Sequence, residues 1–285
     1  MKRTKNKLLL VAVWLACILL IAANGLAVGR ASASAAHYCD EGVYEGSGSS
    51  TSGDYTIEYD SYVEHNEYRE ICAPSLNNGG AGTTDGCTAV AGLNVMAFYD
   101  RYYTNLIPNH EPGLEMKGEY YYFINMGEPE IDTLYATLYN YMQVGVSGPG
   151  ATEADFKNGL KKYINEQGYS VSYNSMYKNA TTVNLTKVQQ MVNNKRVGVL
   201  FLSGYNFVYG FNVTETSRTV FRSVYTSGHV MMVYGYFTVD YYKNGSKFLT
   251  ETYLCASSCD AFADAGFIKM DDNLTIDDAI IVQIG

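Results

Sequence analysis

The chain has 285 residues, with 20 Lys and Arg against 29 Asp and Glu and a net charge of −9. That sign repels nucleic-acid phosphates and anionic membrane surfaces, so neither is expected as a partner. The supply of Val, Ile, Leu, Met, Phe and Tyr is sufficient to bury a sizeable core.

The first 36 residues differ from the rest. Lys2, Arg3, Lys5 and Lys7 form a positive head, Leu8 to Ala23 is an unbroken apolar run, and Ala31 to Ala36 are small residues. Positive head, apolar centre and small-residue exit describe a secretory signal peptide. The expectation is therefore a secreted or cell-surface protein, with no membrane contact after cleavage. Without residues 1–36 the chain keeps 15 basic and 29 acidic side chains, a net charge near −14. What is left, about 250 residues, suits one large domain.

Residues 37–70 read as a short flexible lead-in with one strand. Glu45 to Gly53 has Gly/Ser linker composition, and Tyr55 to Val63 alternates as a strand does. A catalytic domain is expected over 71–285. Pro74 to Gly86 is a Gly-rich loop, and a helical pattern begins at Cys87, with Val90, Leu93, Met96 and Ala97 at spacings of three and four. Thr88 or Asp85 is a candidate cap for its start. Further helices are predicted over 129–143, opening on Pro129, over 152–167, opening on the capping-box pair Thr152 and Asp155 and ending at Gly168, and over 184–195. The period then changes to that of strands, over 197–203, 205–212, 218–225, 230–239, 248–254, 266–270 and 279–284. Helices first and strands second predict an α+β fold, an N-terminal helical part packed on a C-terminal antiparallel sheet.

Five cysteines follow the signal: Cys39, Cys72, Cys87, Cys255 and Cys259. An odd count in an exported protein leaves at least one without an intramolecular partner. The pairs Cys39–Cys72 and Cys255–Cys259 would leave Cys87 as the free thiol; a fully reduced, buried set is the alternative.

Cys87 follows a Gly-rich loop and opens a helix. The partial positive charge and unpaired N–H groups there favour a thiolate and can hold an oxyanion beside it. His229 stands at the mouth of the apolar strand Val230 to Tyr236, behind Gly228. Of the four histidines His37, His65, His110 and His229, only the last has a rigid apolar strand to position it as a base. Either feature alone is compatible with plain packing. Nucleophile at a helix start and His at a strand entrance far downstream is the papain-type chain order.

The stretch Gly86-Cys87-Thr88-Ala89-Val90-Ala91-Gly92-Leu93-Asn94-Val95-Met96-Ala97-Phe98-Tyr99 resembles the nucleophile helix of streptopain-type and bacteriocin-processing-type cysteine peptidases. Gly228-His229 with its apolar strand resembles their His segment. The likeness runs from about Gly86 to the C-terminus. It implies a papain-like fold and hydrolysis of a peptide amide by a Cys87–His229 pair, with a peptide or protein as substrate and without metal or cofactor.

Two departures accompany the resemblance. Papain-like enzymes place a Gln before the Cys as oxyanion donor, but 37–87 contains none; Asn77 or Asn78 is the substitute, or both only shape turns. The family orients its His with an Asn or Asp from the following strand, where this chain reads Cys255-Ala256-Ser257-Ser258-Cys259-Asp260. Ser257 matches by position and Asp260 by chemistry. Residues 37–70 are also too short for the long propeptide of the streptopain type. Two other readings stay open: peptidoglycan-peptide amidase or transglutaminase-like acyl transfer on the same fold, and a non-catalytic binding module on a degenerate peptidase scaffold. The Tyr pairs and the acidic turns Asp271-Asp272 and Asp277-Asp278 read as sheet surface and solvated turns.

Overall fold

The computed structural model describes residues 51–68, 73–74, 76, 86–103, 105–110, 115–116, 121–123, 128–148, 150–179, 182–226, 228–260, 263–271 and 274–285. The expected signal peptide, residues 45–50 of the expected Gly/Ser linker, Cys17, Cys39, Cys72, Asn77, Asn78 and Asp85 lie outside these residues.

Four helices precede most of a large antiparallel sheet, as the change of period predicts. They are α1 (Cys87–Asp100), α2 (Pro129–Tyr141), α3 (Glu153–Glu166) and α4 (Leu185–Asn193). Their starts follow local chemistry. Pro129 enters α2 at its first turn with Glu130 and Asp132 beside it, where a missing N–H costs nothing and negative charge is favoured. Thr152 and Asp155 form the reciprocal capping box of α3, with Asp155 N–H donating to Thr152 Oγ1 at 3.1 Å. The Asn184 side chain accepts from Thr186 and Lys187 N–H and opens α4. Gly159 sits where α2 ends against α3; a Cβ there would lie 2.7 Å from the Met142 backbone nitrogen.

The sheet is organised by β10 (Val197–Val213), a strand long enough to serve two neighbourhoods. Its first half pairs with β12 (His229–Lys243) on one side and β15 (Thr275–Ile284) on the other. Its second half pairs with β11 (Ser217–Tyr225) and β14 (Ala263–Lys269). β13 (Ser246–Asp260) lies between β12 and β14. At the other edge, β7 (Val171–Ser175) pairs with β15.

Both faces of the first half are covered. Val199, Phe201, Val230, Met232 and Tyr234 join the cluster of α1, α2 and α3, with Phe156 edge-on to Phe201. Leu200, Leu202, Met231 and Val233 join Val188 and Met191 of α4 on the opposite face, near the short ladder of β8 (Tyr177–Asn179) and β9 (Thr182–Val183). Burial on both faces is why 197–202 reads as an unbroken apolar run and not as an alternation.

The N-terminal stretch is more ordered than its composition predicts. Instead of one strand it forms three: β1 (Thr51–Ser52), β2 (Tyr55–Glu58) and β3 (Ser61–His65). β1 and β2 add to β11, while β3 adds to the far half of β12. Between β2 and β3, Tyr59 N–H donates to Thr216 O and Asp60 N–H to Tyr242 O, each at 2.9 Å. One segment thus ties the edges of β11 and β12 together. The space so enclosed holds the rings of Phe211, Phe237, Tyr253 and Phe267 in mutual contact.

A buried ionic group sits among these rings. Glu251 is 4% exposed and accepts from Lys269 Nζ at 2.8 Å, Tyr55 OH at 2.7 Å, Tyr253 OH at 2.5 Å and Tyr241 OH at 3.2 Å. Burial pushes its carboxyl up, but the bonds from Lys269, Tyr253 and Tyr55 outweigh that and hold it below the usual carboxylate range. Burial in turn pushes the Tyr253 and Tyr55 hydroxyls up. Arg218 is held by Glu64 at 2.9 Å and by the faces of Tyr62 and Phe211.

Two consequences can be measured by unfolding in urea. Glu251→Ala removes one partner of a desolvated charge pair and lowers stability by about 3–5 kcal/mol. Because the Glu251 carboxyl is held low, its contribution is fully present above its unfolded value of 4.5 and is lost as pH falls through the folded value. Stability in acid is therefore less pH-dependent in the variant than in the parent.

Candidate active site

Helix α1 is buried along its whole length, all 14 residues included. An interior helix needs no amphipathic stripe, which accounts for its small and apolar residues on every side. Its entry is Gly86, whose C=O accepts from Val90 N–H at 2.8 Å. The N-cap position is Gly86, which has no side chain with which to cap the start.

Three contacts fix how α1 lies on the sheet. The Asn94 amide donates to Leu76 O at 3.1 Å and to Cys259 Sγ at 3.4 Å, while its oxygen accepts from Leu76 N–H at 2.8 Å. Tyr99 OH donates to Val282 O, and Tyr103 OH to Ile284 O, each at 2.6 Å. Val282 stands opposite the start of β10, level with the middle of β12. Cys259 is two residues past Ser257, the partner of Met232 near the β12 entrance. The helix therefore runs in the direction of β12. Cys87, seven residues before Asn94, lies about 10 Å along the helix axis toward the end at which β12 starts.

The two side chains reach that end from different faces. Cys87 is 2% exposed and belongs to the cluster of Val230, Met232 and Cys259. His229 is half-buried, pairs with Leu202 and stacks on Tyr205 at 5.9 Å between centroids, and both neighbours belong to the opposite cluster. His229 Nε2 lies 2.6 Å from the main-chain carbonyl of Ser258. A carbonyl oxygen only accepts, so Nε2 carries a hydrogen, and when the ring is neutral Nδ1 carries the lone pair.

Of the two side chains expected to orient His229, Ser257 is fully buried and its hydroxyl donates to the Pro74 carbonyl. Asp260 closes β13; its side chain, like Asn78, lies outside what is described. The acceptor that holds the imidazole is a main-chain oxygen, which no residue type announces, so the sequence had no way to mark it. The His110 side chain is buried: Nδ1 lies 3.0 Å from Asp100 Oδ2 and Nε2 3.5 Å from Glu128 Oε2. It ties the end of α1 to the start of α2.

The cysteines depart from the expected pairing. Cys87 is disulfide-bonded, while Cys255 and Cys259 are free, buried thiols. The loop expected between them is extended strand. Four residues of strand span about 13 Å, and a disulfide requires Cα atoms within about 7 Å. Cys259 has φ 57°, next to an irregularity in the ladder between Ser257 and Asp260. That local turn puts its sulfur under Asn94.

Set against known proteins, the chain matches no family model, no curated protein and no solved structure. The site therefore stands on its geometry. Among the described residues no group of three or more His, Cys, Asp or Glu is placed to hold a metal ion, and no helix is long and apolar enough to cross a membrane.

Asn94→Ala leaves the Leu76 N–H and C=O without their buried partner and is expected to cost about 2–3 kcal/mol, read from urea unfolding. Peptide mapping after alkylation is expected to find Cys255 and Cys259 unlabelled in the native protein and labelled once it is unfolded.

Proposed function

We propose that the chain is an exported, papain-like cysteine hydrolase of peptide amide bonds, and that the disulfide-bonded form is its resting state. The observation that supports this reading is the direction of α1: an interior helix whose first residue, Cys87, points toward the end of the sheet at which β12 opens on His229.

The chemistry runs in two stages. A dithiol gives two electrons and two protons to the Cys87 disulfide and is itself oxidised to a disulfide; one proton stays on the partner thiol and the other goes to His229, leaving a Cys87 thiolate and a His229 imidazolium. Helix N-termini favour the thiolate as product. The thiolate then attacks the amide carbonyl while first-turn N–H groups hold the oxyanion. The C–N bond breaks as the His229 imidazolium gives its proton to the leaving amine, and a thioester forms. His229 next takes a proton from water, whose oxygen displaces Cys87. Because His229 and Cys87 start from different faces, opening of the disulfide must also let the Cys87 end of α1 move toward the imidazole.

A second reading has an observation of its own. Cys87 is buried and already bonded, as a structural half-cystine in a binding module would be. The two readings separate in one assay with a fluorogenic peptide. The oxidised protein is expected to be inactive, a dithiol to activate it, and Cys87→Ala to remain inactive under the same reductant. His229→Ala is expected to lower turnover of the reduced enzyme by about 10³-fold or more. Full turnover by Cys87→Ala, or an ordinary high thiol pKa for Cys87 after reduction together with no turnover, would sink the hydrolase and leave the binding module.

A further inference from the structure

Two kinds of contact hold His229, a hydrogen bond and a ring stack. The Ser258 carbonyl fixes where Nε2 points. A hydrogen bond at Nε2 by itself lets a ring rock about the N···O line. The second grip is a stack of three rings. Tyr225 lies flat on Tyr205 at 4.8 Å and 11°, and Tyr205 lies nearly flat on the His229 ring at 5.9 Å and 19°. Offset stacking at such separations is favourable between neutral rings, and a tyrosine face within about 6 Å also favours an imidazolium.

This stack is built by a fault in the sheet. Leu202 and Tyr205 are three residues apart on β10, so a regular strand would point them to opposite faces. The ladder between β10 and β15 slips between Leu202 and Gly204, and both side chains end on the face of His229. Tyr205 is 2% exposed and is braced from behind by Tyr225, its register partner on β11. It has the rigidity of a backstop.

We infer that Tyr205 is a positioning residue for the base: it sets the plane of the His229 imidazole, and with it the direction of the Nδ1 lone pair, while the Ser258 carbonyl sets the tautomer. The inference rests on the hydrolase reading for its kinetic consequence, but the ring geometry can be tested without it.

The reduced full-length enzyme serves for both tests. Tyr205→Leu is expected to lower kcat at least tenfold with KM within twofold of the parent, because a misaimed base affects the chemical step and not substrate binding. Tyr205→Phe keeps the ring and is expected to restore kcat to within twofold. Unchanged kcat in Tyr205→Leu, or an equal loss in Tyr205→Phe, overturns the inference. Should Tyr205→Leu fail to fold, Tyr225→Leu at its half-buried position is read instead: the same split with a smaller drop supports the brace, and unchanged kcat overturns it. Independently of activity, the His229 ring proton resonance, assigned by its loss in His229→Gln, is expected upfield through the Tyr205 ring current. It should move downfield in Tyr205→Leu and stay in place in Tyr205→Phe; a resonance that ignores Tyr205→Leu overturns the stack. If Cys87→Ala retains full turnover the hydrolase reading fails, and the resonance still decides whether Tyr205 holds the ring.

Discussion

Every part of the candidate site takes its position from the packing of α1 against β12 and β13. A helix with no exposed side must be enclosed by other elements, and here α2 and α3 cover it from one side while the sheet covers it from the other. Dispersion and burial hold such a helix but set its position along its axis only loosely. Asn94 supplies the missing restraint. By bonding Leu76 through both its amide and its oxygen, and Cys259 through its sulfur, it pins the helix to a strand and a loop at once. Tyr99 and Tyr103 fix the other end on β15. Where Cys87 stands is a consequence of these ties.

The same constraint explains why the resting form would be silent under the proposed function. A helix start that favours thiolate is reactive, and under the proposed export the protein would meet oxidants. Closing Cys87 into a disulfide stores the sulfur in a form that neither attacks amides nor climbs the oxidation ladder. The buried thiols of Cys255 and Cys259 need no such protection, since the core shields them.

The far half of the sheet has a different logic. There the N-terminal strands bind two edges that would otherwise be open, and the enclosed space is lined with aromatic rings. Rings alone would leave the Lys269 and Arg218 charges stranded; Glu251 and Glu64 answer them, and the tyrosine hydroxyls complete the carboxylate's bonds. The arrangement is rigid because a desolvated ion has few alternatives of comparable energy.

By itself the sequence determined the α+β class, the starts of all four helices and the change to strands near residue 197, because these depend on caps, turn residues and periodicity within a few positions. It read one strand over 55–63, where β2 and β3 form with a turn between them, and it missed β1, because a polar, alternating pattern does not say which partner strands will supply the other half of the hydrogen bonds. Only the tertiary structure decided that Cys87 is bonded, that Cys255 and Cys259 are too far apart along a strand to pair, that a main-chain carbonyl holds the imidazole, and that a slipped ladder turns Tyr205 onto it. Each of these depends on distances between segments far apart in the chain, and local propensity carries no information about such distances.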